Sequence, residues 1–268
     1  MDITNKSIVL TGASRGIGRE IALAFARKGG RLVLGGRDAQ ALDATSNAVE
    51  QAGGQATTVP GDVTDANWRK KVVQVAVEQY GDLDILINNA GVVSAGFLEH
   101  LSDDDIDQQL QINLVAPIQL TRAALPALRK SRSAAIVNLS SIFGLVGMPF
   151  YATYGATKAG ISHFGEALRR EVADQGIHVM TVYPGATDTP MMETAGLGDK
   201  AGFDYDTPEG VAQALLEGLE ADELTVVRAD DNNQGMIDMN RNNPRQLDDQ
   251  VQEMKPALEE AVANHRSM

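Results

Sequence analysis

Cysteine is missing from this chain of 268 residues. Disulfide frameworks, thiolate metal sites, Fe–S clusters and cysteine nucleophiles are thereby excluded. Long apolar runs are missing as well: nothing approaches the roughly 18 residues of a membrane span. The opening MDITNKSIVL holds no apolar run fit for a signal peptide. Positive charge is scarce. Lys and Arg number 23 against 36 Asp and Glu, a net charge of −13 with no basic run to offset it. A field of that sign repels nucleic acid and anionic membrane. The four histidines, His100, His163, His178 and His265, are scattered and form no cluster with acids, so no metal site is expected. No internal repeat, low-complexity tract or domain-splitting linker stands out. These absences leave the expectation of a cytoplasmic protein with neither nucleic acid nor membrane as partner.

What is present is a rhythm. Hydrophobic residues make up 43% of the chain, enough for a full core. Short β-branched runs at Ser7–Thr11, Arg31–Gly35, Ala56–Pro60, Asp84–Asn88, Ala134–Ser140, Ile177–Tyr183 and Leu224–Val227 read as strands. Several are apolar at successive positions, the pattern of strands buried on both faces. Helical patterns fill the gaps: Gly18–Lys28, Asp38–Gln51, Asp65–Tyr80, Asp103–Lys130, Tyr154–Asp174 and Thr207–Ala221. Strict alternation predicts an α/β chain with a Rossmann-like, doubly wound parallel sheet of about seven strands. Helices on both faces make it three-layered, α/β/α. Residues 1–228 form one domain in this reading. Within it, Asp188–Asp206 has no strong period and reads as a mobile substrate loop. Residues 229–268 read as a polar, then helical, extension packed on the same domain. Asn243-Pro244 starts its helix and Pro256 kinks or restarts it.

The first strand runs into Thr11-Gly12-Ala13-Ser14-Arg15-Gly16-Ile17-Gly18 and then a helix. Glycines permit a tight turn and close backbone approach, and a helix N-terminus offers free N–H groups to a diphosphate. Further along stand Asp62-Val63, Asn88-Asn89-Ala90-Gly91, Asn113, Ser141, Tyr154 with Lys158, and Pro184-Gly185. With these residues, in this order, the chain resembles the short-chain dehydrogenase/reductase family, in its single-domain branch with TGxxxGxG and YxxxK. The likeness is close over roughly the first 190 residues and looser to the Thr207–Val227 unit. It implies a dinucleotide cradle at Gly12, Ser14, Arg15, Gly16, Ile17 and Gly18. It also implies an adenine contact at Asp62 beside Val63, a ribose wall at Asn89, Ala90 and Gly91, and a nicotinamide clamp at Pro184, Gly185, Thr187 and Thr189. Asn88 ties the sheet together.

After the second strand, an acid suits the ribose hydroxyl of NAD and an Arg suits the phosphate of NADP. Here Gly36 stands where the acid is expected, followed by Arg37, with Arg15 as a second cation. This favours NADP(H), as in the family's NADP-preferring members, with NAD(H) open because Asp38 could serve as the ribose acid.

Tyr154 and Lys158 stand four apart on a helical pattern and share a face. A free tyrosine has a pKa near 10, and a nearby ammonium favours its phenolate, making it an acid or base near neutrality. Ser141, thirteen residues before Tyr154, would orient the substrate oxygen and stabilise a developing alkoxide. Ser140 is the competing assignment. By resemblance Asn113 interrupts a helix and its backbone holds a water reaching Lys158, while Tyr154 and Lys158 also touch the cofactor. Phe143, Leu145, Met148 and Phe150 are expected to line an apolar pocket, with Met191 and Met192 in the loop. The activity implied is reduction of a ketone or aldehyde and reversible oxidation of a secondary alcohol, by a homo-oligomer, dimer or tetramer. A catalytically silent NADP(H)-binding regulator or scaffold is the alternative. After Val227 the sequence departs from the family pattern, which leaves the tetramer in question and lets the extension cover the active site or a partner subunit.

Overall fold

The computed structural model describes residues 1–195 and 205–267. Seven parallel strands form one sheet: β1 (Ser7–Thr11), β2 (Arg31–Gly36), β3 (Gln55–Pro60), β4 (Ile85–Asn88), β6 (Ala134–Leu139), β7 (Ile177–Pro184) and β8 (Thr225–Arg228). Their order is β3-β2-β1-β4-β6-β7-β8, so the winding reverses between β1 and β4. That switch opens a crevice at the carboxyl ends of the strands. Successive residues of one strand feed opposite cores. Ile8, Leu10, Leu32 and Leu34 pack with α1 (Gly16–Arg27), α2 (Ala39–Gln51) and α7 (Pro208–Glu220). Val9, Val33, Leu86 and Ile136 pack with α3 (Ala66–Tyr80), α5 (Ala116–Leu128) and α6 (Ala152–Glu171). This is why the strands read as unbroken apolar runs. Helix starts follow the sequence signals: Asp38 caps α2, Asp65 caps α3, and Thr207 with Pro208 opens α7.

Four features depart from the sequence reading. The helical pattern read as continuous over Asp103–Lys130 is α4 (Asp103–Leu110), a π turn (Gln111–Val115) around Asn113, where the resemblance implies an interruption, and α5. Its apolar period carries across the widened turn, so periodicity alone does not reveal it. The polar stretch after Val227 holds a helix, α8 (Asp231–Asn242), capped by Asp230. Of the two readings of Pro256, a kink or a restart, the restart fails: Pro256 lies inside α9, which runs from Pro244 to Val262. Finally β5 (Val93–Ser94) and β9 (Arg266–Ser267) make a second, antiparallel sheet. Of the expected substrate loop, residues 196–204 lie outside the described residues. Its base is pinned: Asp188 N donates to Asp206 O at 2.9 Å, and Arg228 grips the Asp206 carboxylate with two bonds of 2.9 Å.

A third apolar cluster joins the extension to the body. Ile237, Leu247, Leu258, Ala261 and Val262 pack with Val93, Ile142, Met148, Phe150 and Tyr151. No described helix is long and apolar enough to cross a membrane.

Candidate active site

A cavity of about 430 Å³ opens at the carboxyl ends of the strands. Every residue assigned to the cofactor from sequence lies on its wall, from Gly12 through Arg37, Asp62 and Gly91 to Thr189. So do Ser141, Tyr154 and Lys158. Asn113 stands behind the wall.

The glycine turn is locally forced. Gly12 and Gly16 adopt φ of +67° and +55°, the left-handed region that disfavours side chains. A Cβ on Gly18 would fall 2.1 Å from the Gly12 carbonyl oxygen. Asn89 locks the turn, its Nδ2 donating to Thr11 O at 2.9 Å and Gly12 O at 3.1 Å. Thr11 Oγ1 in turn accepts from the N–H groups of Asn89 and Ala90. No side chain caps the start of α1, which leaves its first-turn donors to face the cavity.

At the second strand Gly36 is buried and Arg37 is exposed, as is Arg15. Neither arginine has an ion-pair partner among the described residues. Asp38 is engaged as the N-cap of α2, accepting from Ala41 N at 3.0 Å. One oxygen of Asp62 accepts from Thr64 N at 2.8 Å and Thr64 Oγ1 at 2.7 Å. Thr187 Oγ1 donates to Gly185 O at 3.1 Å, and Thr189 packs on Gly16. Asn88 bonds Asn138 on β6 and Thr121 on α5, tying sheet to helix.

Tyr154 lies in the first turn of α6 and Lys158 one turn later. Lys158 Nζ donates to Leu139 O at 3.0 Å and stands 5.6 Å from the centre of the Tyr154 ring. Burial pushes the Tyr154 phenol up to about 12, an effect that a hydrogen bond with Ser141 partly offsets. Burial pushes Lys158 down to about 8. The sequence reading expects the lysine to lower the phenol. Here desolvation outweighs that effect, and the Lys158 ammonium bonds the Leu139 carbonyl. Ser141 Oγ accepts from Phe143 N at 3.2 Å and is the hydroxyl that meets Tyr154. Ser140 is otherwise engaged, donating to Lys158 O at 2.8 Å and accepting from Ser162 at 2.8 Å. Asn113, on the π turn, accepts from Val92 N at 2.8 Å and donates to Val92 O at 2.9 Å and Thr157 Oγ1 at 3.2 Å. Its side chain fixes the loop after β4 to α6.

The short chain dehydrogenase family model matches residues 6–199. The chain belongs to the short-chain dehydrogenase/reductase family. Ketoacyl reductase HetN of Nostoc sp. is 35% identical over 219 residues, 81% of this chain and 76% of that protein. The 3-oxoacyl-(acyl-carrier-protein) reductase FabG of Thermotoga maritima is 33% identical over 236 residues, 85% of this chain and 95% of that one. Among solved structures, an alcohol dehydrogenase from the archaeon Thermococcus sibiricus, complexed with 5-hydroxy-NADP, superposes with a TM-score of 0.74. It is 26% identical and covers 83% of this chain and 95% of that chain. The chain is therefore an oxidoreductase of a family that binds NAD(P)(H) and acts on small molecules.

This short-chain dehydrogenase/reductase carries wall residues that motif reading passes over. Tyr151, Leu258, His265 and Ser267 all line the cavity. Tyr151 stands one helical turn before Tyr154, a signal the sequence does offer. The other three lie beyond the stretch that the family model matches. They reach the cavity only through the packing of α9 and the pairing of β9. His265, set aside as one of four scattered histidines, is 1% exposed to solvent.

Proposed function

We propose that this protein is an NADP-dependent carbonyl reductase, acting on ketones or aldehydes and reversibly on the corresponding secondary alcohols. The observation that carries the reading is the meeting of Ser141, Tyr154 and Lys158 in one cavity with the glycine turn. The cavity offers a dinucleotide suitable donors. Its turn has no room for side chains at Gly12 and Gly18, and no side chain caps the start of α1 beside it. Gly12, Ser14, Arg15, Gly16, Ile17 and Gly18 would hold the diphosphate. Arg15 and Arg37 would face the ribose phosphate, beside Asp38, one oxygen of which caps α2. Asp62 and Val63 would take the adenine, Asn89 to Gly91 the ribose wall, and Pro184, Gly185, Thr187 and Thr189 the nicotinamide amide. Bound there, the nicotinamide supplies or accepts a hydride at the substrate carbon.

The chain's own work is proton handling and orientation. Ser141 holds the carbonyl oxygen through its hydroxyl. Tyr154 donates the phenolic proton to that oxygen. A phenol pushed up to about 12 keeps its proton at neutral pH and so has one to donate. Lys158, pushed down to about 8, can lose and regain a proton near neutrality. Asn113 holds Val92 and Thr157 so that Lys158 and the cofactor wall keep their spacing. A homo-oligomer, dimer or tetramer, in the cytoplasm completes the reading, supported by likeness to a family whose members are commonly oligomeric.

A panel of carbonyls and alcohols assayed with NADPH and NADH tests it. NADPH should be preferred. Tyr154→Phe should lower kcat by about 10²-fold or more, the usual scale for a lost general acid, while NADPH still binds. Arg37→Ala should narrow the NADPH/NADH ratio of kcat/KM about tenfold, in line with one lost charge-assisted hydrogen bond. Full kcat in Tyr154→Phe would overturn the mechanism, and an unmoved ratio in Arg37→Ala would overturn the cofactor assignment.

A further inference from the structure

The 229–267 segment does more than cover the domain. We propose that it delivers His265 into the substrate chamber as a specificity-determining residue, whose imidazole Nε2 accepts a hydrogen bond from a hydroxyl on the apolar body of the carbonyl substrate. The inference rests on the carbonyl-reductase reading of the cavity.

The backbone around His265 is fixed from several sides. Arg266 and Ser267 pair with Ser94 and Val93, immediately past the Asn89–Gly91 wall. Ala95 N donates to His265 O at 3.0 Å. Arg266 N donates to Thr194 Oγ1 at 3.2 Å, and Thr194 Oγ1 donates to Arg266 O at 3.1 Å. The Arg266 guanidinium stands 3.6 Å from the buried Asp105 carboxylate, which Ser94 and Ser102 also bind. An arm held this way presents its side chain in one place.

That place is the reacting end of the cavity. The His265 ring lies edge-on to Tyr151 at 5.9 Å between centres, and Tyr151 lies 6.2 Å from Tyr154. The histidine is thus two ring contacts from the proposed proton donor, a separation that the body of a small substrate spans. Phe143, Met148, Met191, Met192 and Leu258 supply apolar wall. Against that background the few polar atoms on the wall decide what fits, because a buried polar group left without a partner discriminates strongly between matched substrates.

The hydrogen-bond pattern sets the role of that atom. Burial pushes the imidazole down to about 4, so the ring is neutral at pH 7. Thr194 Oγ1 lies 3.1 Å from Arg266 O and 3.2 Å from His265 Nδ1. In the proposed arrangement its one proton goes to Arg266 O, and its oxygen accepts from Nδ1–H. A neutral imidazole with its proton on Nδ1 has a lone pair on Nε2. Nε2 has no partner among the described residues. A hydroxyl on the substrate supplies one, whereas a methyl in the same position leaves the lone pair bare.

Matched ketones test this: 4-methylcyclohexanone against 3- and 4-hydroxycyclohexanone, with NADPH. Wild type should favour one or both hydroxyketones over the methyl ketone about tenfold in kcat/KM. His265→Leu should erase that preference, chiefly through the KM of the hydroxyketone, and His265→Gln, which keeps an acceptor, should restore part of it. An equal preference in wild type and His265→Leu would overturn the assignment, as would a hydroxyketone preference lost through kcat alone. Should His265→Leu fail to fold, imidazole NMR of Tyr154→Phe with NADPH decides. The His265 ring signals should shift on adding the hydroxyketone and stay still with the methyl ketone; equal shifts would overturn the proposal. NADPH binding without turnover of any ketone by wild type is a different failure, one that sinks the carbonyl-reductase reading beneath it.

Discussion

Gly144 shows how tightly single residues set this site. A Cβ there would lie 2.6 Å from Ser140 Oγ and 2.9 Å from the Lys158 carbonyl group. Those atoms belong to the contact that seats α6 against β6, so the helix bearing Tyr154 and Lys158 must move to admit a methyl. Gly144→Ala is expected to cost ~1–3 kcal/mol of stability, the usual range for overpacking. Because Tyr154 and Ser141 share one hydrogen bond across that contact, kcat should fall at least tenfold. Thermal unfolding and carbonyl turnover measure both; an unchanged kcat would show that the helix seat tolerates the shift. That Tyr154, Ser141 and Lys158 share one cavity was legible in sequence, because the proposed chemistry needs those side chains at fixed spacings. Gly144 was not, because its reason is the carbonyl of a residue on another element. His265 was hidden for the same cause: its partners are Thr194, Tyr151 and Ala95, all far away in sequence.

Among the elements, the long strands and most helices could be read because burial on both faces writes itself into composition. The β5–β9 pair could not, since two residues carry no period. Yet that pair fastens the extension over the cavity, and it has a pH signature. His265 is pushed down to about 4 in the fold, against about 6.5 when free. The unfolded chain therefore binds the proton first, and stability is lost as pH falls from about 6.5 toward 4. Asp105, facing Arg266 from α4, is held below the usual carboxylate range by the Ser102 hydroxyl and titrates lower still. Between pH 7.5 and pH 5 the histidine should account for about 2 kcal/mol, at roughly 1.4 kcal/mol per pH unit below 6.5. Urea unfolding of wild type and His265→Leu at the two pH values measures the difference. Wild type should lose more stability on acidification than the variant; parallel losses would mean that the histidine is not held neutral by its burial.

For the whole molecule, the net charge of −13 and an anionic cofactor pull against each other. On the proposed reading, capture depends on the uncapped N-terminus of α1 and on exposed Arg15 and Arg37. The two fields differ in range. The Debye length is about 30 Å at 0.01 M salt and about 8 Å at 0.15 M. At low salt an approaching NADPH feels the acidic surface as a whole; at physiological salt it feels only the rim of the cavity. The association rate, followed by stopped-flow fluorescence, should therefore rise between 0.01 and 0.15 M salt as the far repulsion is screened. Above that it should fall, as the contact with the arginines is screened in turn. Arg37→Ala should keep the rise, flatten the fall and bind NADPH more weakly. A rate that declines steadily from the lowest salt would reverse the assignment. The rim cations would then outweigh the surplus acids even at 30 Å, and the acidic surface would have no part in setting cofactor capture.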